Sequence, residues 1–127
     1  MVNKIVLRYK DGKSINGQTA DFFPNKNTFH FETLNGEIIE VNVELLKAIF
    51  FVKDFIGNKD HKDSYVDTIS GGGRKLEVLF NDGEKLIGYS QGYSPNRIGF
   101  FAVPADKDQN NERIFIITSA TKKVTFL

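Results

Sequence analysis

Hydrophobic and polar positions alternate from the first residues of the chain. Ile5, Leu7 and Tyr9 are interleaved with Val6, Arg8 and Lys10, the period-two pattern of a strand with one buried face. Asp11-Gly12 interrupts the pattern and predicts a tight hairpin. Ile15, Gly17 and Thr19 continue one face of the returning strand, and Gly17 stands where that strand must bend or another segment approach closely. Phe22-Phe23-Pro24-Asn25-Lys26 predicts the next turn, with Pro setting φ and Asn tolerating the following position. A third strand over residues 27–32 follows. Asn35-Gly36, between Phe29-Phe31 and Ile38-Ile39-Val41, predicts a second hairpin and completes a four-stranded meander. Residues 43–47 are long enough for at most one helical turn. The apolar, β-favouring run Ala48-Ile49-Phe50-Phe51-Val52 predicts a fifth strand, although the spacing over 44–55 also admits a helix. From residue 55 to 73 periodicity stops, which predicts a linker.

The same programme then returns. Residues 75–102 align with 4–31 without a gap, matching Lys4 with Lys75, Asp11 with Asp82, Gly12 with Gly83, Gly17 with Gly88, Pro24 with Pro95, Asn25 with Asn96 and Phe29 with Phe100. These identities fall where backbone geometry is demanding: the hairpin, the glycine within the next strand, the Pro-Asn turn and the aromatic that restarts the sheet. Strands are expected near 74–80, 85–90, 99–103, 113–118 and 123–126. The loop over 104–111 is longer than its counterpart at Asn35-Gly36. An internal repeat outranks other signals for architecture. The expectation is an all-β protein made of two strongly bent, five-stranded small barrels over 1–54 and 74–127, related by a pseudo-twofold, with at most short helical turns. A unit of this size is marginal alone, so the halves should depend on each other.

Composition narrows the function classes. The 127 residues are 40% hydrophobic and 26% charged, with 12 Phe and no Trp, enough for a packed core and too little charge bias for disorder. A net charge of +1 offers no broad attraction to phosphate backbones or anionic membranes. The absence of cysteine removes disulfides, thiolate nucleophiles and Cys-based metal sites. No stretch approaches the roughly 18–20 apolar residues of a membrane span, and the N-terminus carries no signal-peptide core. A cytoplasmic location is the expectation. Because the chain begins on a strand almost at once, it could also be a piece of a longer signalling protein.

The order strand, Asp-Gly, strand with a central glycine, turn, two further strands and a short closing strand resembles the Sm-like small barrel, present twice. The segments DFFPNKNTFHF, LKAIFFVKDF, GYSPNRIGFF, VPAD and NNERIFII resemble a family of bacterial proteins in which such segments occur alone or attached to signalling domains, with no established activity. The Sm resemblance implies uridine-rich RNA bound through an Asp and an Asn of the third loop and a basic residue beside Gly in the fifth. Asp21 and Asn25 match the first role in one half, Gly92 replaces the Asp in the other, and the Arg-Gly pair is lacking around Leu45-Leu46-Lys47 and Ala120-Thr121-Lys122.

Other constellations are weaker. His30 and His61 are the only histidines and have no converging carboxylates in sequence, so they read as a strand-face and a linker residue. Ser70-Gly71-Gly72-Gly73-Arg74 has the makings of an anion nest but lacks the ending of a P-loop and reads as a flexible lead into a strand. Cyclic dinucleotide binding finds no Arg-x-x-x-Arg pair, and Asp67-Thr68-Ile69-Ser70-Gly71 misplaces the Ser of the accompanying stretch. Adjacent Phe pairs at 22–23, 50–51 and 100–101, with Tyr89, Tyr93, Lys26, Arg97 and Arg113, could stack bases, but alternate members of a strand face opposite sides and point to a second buried surface between the halves. The leading expectation is a non-enzymatic regulatory or protein-interaction module with a protein partner or a second copy, and without cofactor or metal. Its alternative is nucleic-acid or nucleotide binding by the Pro-Asn loops, and an enzyme comes third. The candidate surface is Asp21, Asn25, Lys26, Tyr93, Asn96, Arg97 and Arg113.

Overall fold

The computed structural model describes residues 4–53, 73–105 and 111–127. The expected linker, apart from Gly73, lies outside the described residues, as do His61 and Asp67 to Gly72. The first half contains β1 (Ile5–Tyr9), β2 (Ser14–Gln18), β3 (Thr28–Thr33), β4 (Ile38–Asn42) and β5 (Leu46–Val52). The second contains β6 (Arg74–Phe80), β7 (Lys85–Ser90), β8 (Gly99–Pro104), β9 (Asn111–Ile117) and β10 (Thr121–Phe126). Three-residue 3₁₀ turns, Val43–Leu45 and Thr118–Ala120, precede β5 and β10. The fold is all-β, and β5 is a strand and not the alternative helix. Its backbone pairs with β1 on one side and β9 on the other, and nearly all its side chains are buried, conditions that satisfy a strand on both edges and both faces.

The repeat in sequence is a repeat in register. Gly12 and Gly83 take φ of 95° and 94°, a conformation glycine adopts without a Cβ penalty. Their amides donate to the carbonyls of Tyr9 (3.1 Å) and Phe80 (3.0 Å). Asp11 and Asp82 each accept the amide two residues on, from Lys13 at 2.9 Å and from Glu84 at 3.0 Å. β1 sets Ile5 opposite Gly17, and β6 sets Leu76 opposite Gly88. Gly17 then faces Thr33, as Gly88 faces Pro104. A methyl group on Gly17 or Gly88 would meet a carbonyl oxygen of the neighbouring strand at 2.1 or 2.6 Å, so both positions admit close strand approach only because they carry no side chain. The bulge that shifts β5 against β1 between Arg8 and Tyr9 recurs where β10 meets β6.

The halves are not separate closed barrels. All ten strands form one open antiparallel sheet in the order β10-β6-β7-β8-β9-β5-β1-β2-β3-β4. The seam is β5 against β9, with Ala48 opposite Ile116, Ile49 opposite Phe115 and Phe50 opposite Ile114. This corrects the pseudo-twofold expectation. A twofold would join like edges, whereas the seam joins the last strand of one half to the fourth strand of the other, a head-to-tail relation. The buried residues form one cluster that runs through both halves, from Ile5, Leu7, Phe29 and Phe31 to Leu76, Val78, Phe100 and Phe115. Strand pairing at the seam and the shared core tie the two halves together.

Candidate functional site in the cleft between the two Pro-Asn turns

Each Pro-Asn turn is built from the same bonds. The Lys26 amide donates to the Phe23 carbonyl at 3.1 Å, and the Arg97 amide to the Ser94 carbonyl at 3.2 Å. At the turn's base, the Thr19 hydroxyl donates to the His30 carbonyl and the Ser90 hydroxyl to the Phe101 carbonyl, both at 2.7 Å. The seam brings the turns of the two halves to one opening. Pro24 and Asn25 form one wall, Gln91, Gly92, Asn96 and Arg97 the other, and Phe100, Phe101 and Phe115 the floor of a cleft of about 790 Å³. That volume lies within the range of small-ligand sites, about 300–1,000 Å³.

The floor belongs to an aromatic cluster that crosses the seam. Phe115 packs edge-on against Phe22 (5.0 Å between centroids) and Phe101 (5.0 Å). Phe22 also meets Phe29 at 5.3 Å and Phe51 at 6.4 Å. One member of each Phe pair takes part, Phe51 buried and Phe22 and Phe101 half-buried, and all three belong to or pack on the one core cluster and do not form the expected second, separate buried surface. Edge-to-face geometry fixes these rings relative to one another, which gives the cleft a preformed apolar base.

The turns differ in how they are tethered. In the first, Asp21 accepts the His30 amide at 2.8 Å and lies 2.7 Å from the His30 Nδ1 through its second oxygen. The hydrogen bond to the imidazole, followed by that from the amide, holds the Asp21 carboxyl below its ordinary range. The same carboxylate pushes the His30 imidazole above its ordinary value. In the second turn Gly92 replaces Asp21 and Phe101 replaces His30, so the tether has no equivalent. Nothing lies within 4 Å of where a Gly92 Cβ would stand, and Gly92 is among the residues that line the cleft.

Of the seven residues expected at a ligand or partner surface, Asn25, Asn96 and Arg97 converge on the cleft. The other four do not line it. Asp21 is engaged by His30. Lys26 lies over the Phe23 ring at 4.9 Å. Tyr93 packs on Phe100 at 4.8 Å and Phe126 at 5.8 Å. Arg113 is held by cation–π contacts between Phe51 (4.3 Å) and Phe101 (4.9 Å). Gln91, Gly92, Ile98, Gly99 and Phe115 line the cleft without having been expected there. Gly92 had a signal in its mismatch with Asp21, since a turn that loses its capping side chain is left with room. Lys47 was missed as a seam residue. It is 7% exposed and bonds Asp82 at 2.7 Å and the Glu84 carboxylate across the seam. The bond to Lys47, foremost, lowers the Asp82 carboxyl.

A family model described as "Family of unknown function (DUF6982)" matches residues 1–127. The chain belongs to this family. No curated protein and no solved structure matches it. The DUF6982 cleft presents side-chain amides, one guanidinium and aromatic rings. Among the described residues no group of three or more His, Cys, Asp or Glu side chains is placed to hold a metal ion, and no helix is long and apolar enough to cross a membrane.

Proposed function

We propose that this chain is a duplicated, Sm-like small β module from a bacterial cytoplasm that acts as a non-enzymatic interaction module, and that the inter-turn cleft takes an extended peptide segment of a protein partner. Identical strand order and register in the two halves support the duplication. The observation that carries the binding reading is the cleft itself: amide side chains on both walls suit a peptide backbone, the Phe floor suits one apolar anchor, and Arg97 suits an acidic neighbour. The alternative of a nucleic-acid ligand draws on the same aromatic floor. It has less support, because Arg97 is the sole cation among the lining residues and Lys26 stacks on Phe23, too few charges for a phosphate track.

A random peptide library displayed on phage separates these readings. Peptides with an apolar anchor and an acidic neighbour should be enriched, and Gly92→Trp, which fills open space, should weaken them at least about tenfold without altering thermal stability. Uridine and thymidine oligonucleotides at physiological salt should show no submillimolar binding. Micromolar oligonucleotide binding that Arg97→Ala abolishes, with no peptide enriched, would overturn the proposal.

A further inference from the structure

The two strands at the outer edges of the sheet, β4 and β10, have no strand on their outer side among the described residues. They are also the counterparts of the two strands joined at the seam. The matching bulges set β10 on β5, with Lys122 at the place of Lys47 and Phe126 at that of Phe51. The matching β3–β4 and β8–β9 registers set β4 on β9, with Ile38 at the place of Arg113. Each chain thus contains one completed junction and the two unlike halves of a second.

We propose that β10 of one chain pairs with β4 of a second copy, head to tail, in the register of the internal seam. Carried over, that register places Lys123 opposite Val41, Val124 opposite Glu40, Thr125 opposite Ile39 and Phe126 opposite Ile38. Ile38 and Phe126 are large apolar side chains left 67% and 40% exposed, and they occupy the positions where Arg113 stacks on Phe51 at 4.3 Å inside the chain. The edges are complementary in charge, Lys122 and Lys123 on β10 against Glu40 on β4 with Glu37 just before it. Lys122 would face Asp11 of the next copy as Lys47 faces Asp82. One difference weakens the outer junction: Lys13 stands where the seam has Glu84, so the lysine meets one carboxylate in place of two. Association is therefore concentration-dependent. Because the joined edges are unlike, it does not stop at a dimer by symmetry, and it closes into a ring or extends as a filament.

Native mass spectrometry and sedimentation velocity of the full chain, from low micromolar to submillimolar, test this. Species larger than a dimer are expected, and Lys13→Glu, which restores the second carboxylate at an exposed position, should lower the dissociation constant about tenfold. Ile38→Asp spoils only the β4 edge and Phe126→Asp only the β10 edge. Each alone should be monomeric, with Lys122→Glu as a second β10 variant should Phe126→Asp misfold. A mixture of the two edge variants should give one-to-one heterodimers and nothing larger, because only one intact edge remains on each. A strict monomer at every concentration, the Lys13→Glu variant included, would overturn the proposal. So would a dimer that survives both edge substitutions.

Discussion

The two Pro-Asn turns begin with the same hydroxyl-to-carbonyl bond, at Thr19 and at Ser90, and then part. The first is tied down by Asp21 on His30, and the second, with Gly92 and Phe101 in those places, opens onto the cleft. The Asp21 side chain accepts the His30 amide, while Gly92 leaves open space and Phe101 stands in place of His30. Strand register is shared by the two halves, so the contrast between the turns lies in the side chains at 21 and 30 against those at 92 and 101. The same contrast holds for the equivalent lysines: Lys47 is buried in a completed junction, and Lys122 is exposed on an open edge.

The largest expected effect comes from removing what the halves share. Phe115→Ala deletes a fully buried ring at the seam and should cost about 3–5 kcal/mol. Urea unfolding followed by amide exchange should show strands of both halves losing protection in one transition. Loss of β6 to β10 alone would break the picture of a shared core. A smaller effect separates the two lysines. Lys47→Met should cost about 1–2 kcal/mol through its lost charged hydrogen bonds, reduced because both carboxylate partners are half exposed. Lys122→Met should leave the thermal midpoint of the monomer unchanged. Equal losses would show that burial at the seam is not what distinguishes the pair.

The smallest effect is the pH response of the tether. His30 is raised above its ordinary 6.5, so its contribution is complete below that value and is lost as pH rises through its folded pKa. Asp21 is lowered from 3.8, so its contribution is present above that value and is lost as pH falls. The tether is therefore strongest between these two values, and stability should decline slightly from pH 6 to pH 8. Asp21→Asn should flatten that decline in a thermal-melt series. An unchanged slope would mean that other groups set it.

Much of the strand pattern was legible because turns carry local chemistry. Asp11-Gly12, Asn35-Gly36 and Asp82-Gly83 mark chain reversals by residues that tolerate positive φ, and the alternation between them sets which face is buried. What was not legible is how the halves meet. The pairing of Ile49 with Phe115 joins residues far apart in sequence, and nothing local in either strand specifies that partner. Lys47 was hidden in an apolar run whose neighbours dominated the pattern. Asp21 and His30 lie nine positions apart across a turn, so their contact depends on the turn's closed shape. Of the expected surface, Asn25, Asn96 and Arg97 come together because both Pro-Asn turns line one cleft. Lys26 and Arg113 were drawn away by aromatic neighbours that sequence spacing does not reveal.

The placement of β5 has a consequence for the order of events during synthesis. Its inner neighbour β1 is made before it, but its other neighbour β9 is translated about 60 residues later. At about 5–20 residues per second, the nascent first half carries the uncovered edge of Leu46–Val52 for several seconds. Through that interval the strand presents unpaired amides and carbonyls beside Phe50 and Phe51, a template for the wrong partner on a neighbouring nascent chain. Ribosome-bound chains of this protein are thus most in need of a chaperone between the completion of β5 and the arrival of β9, and slowing translation within that window would lengthen the exposure in proportion.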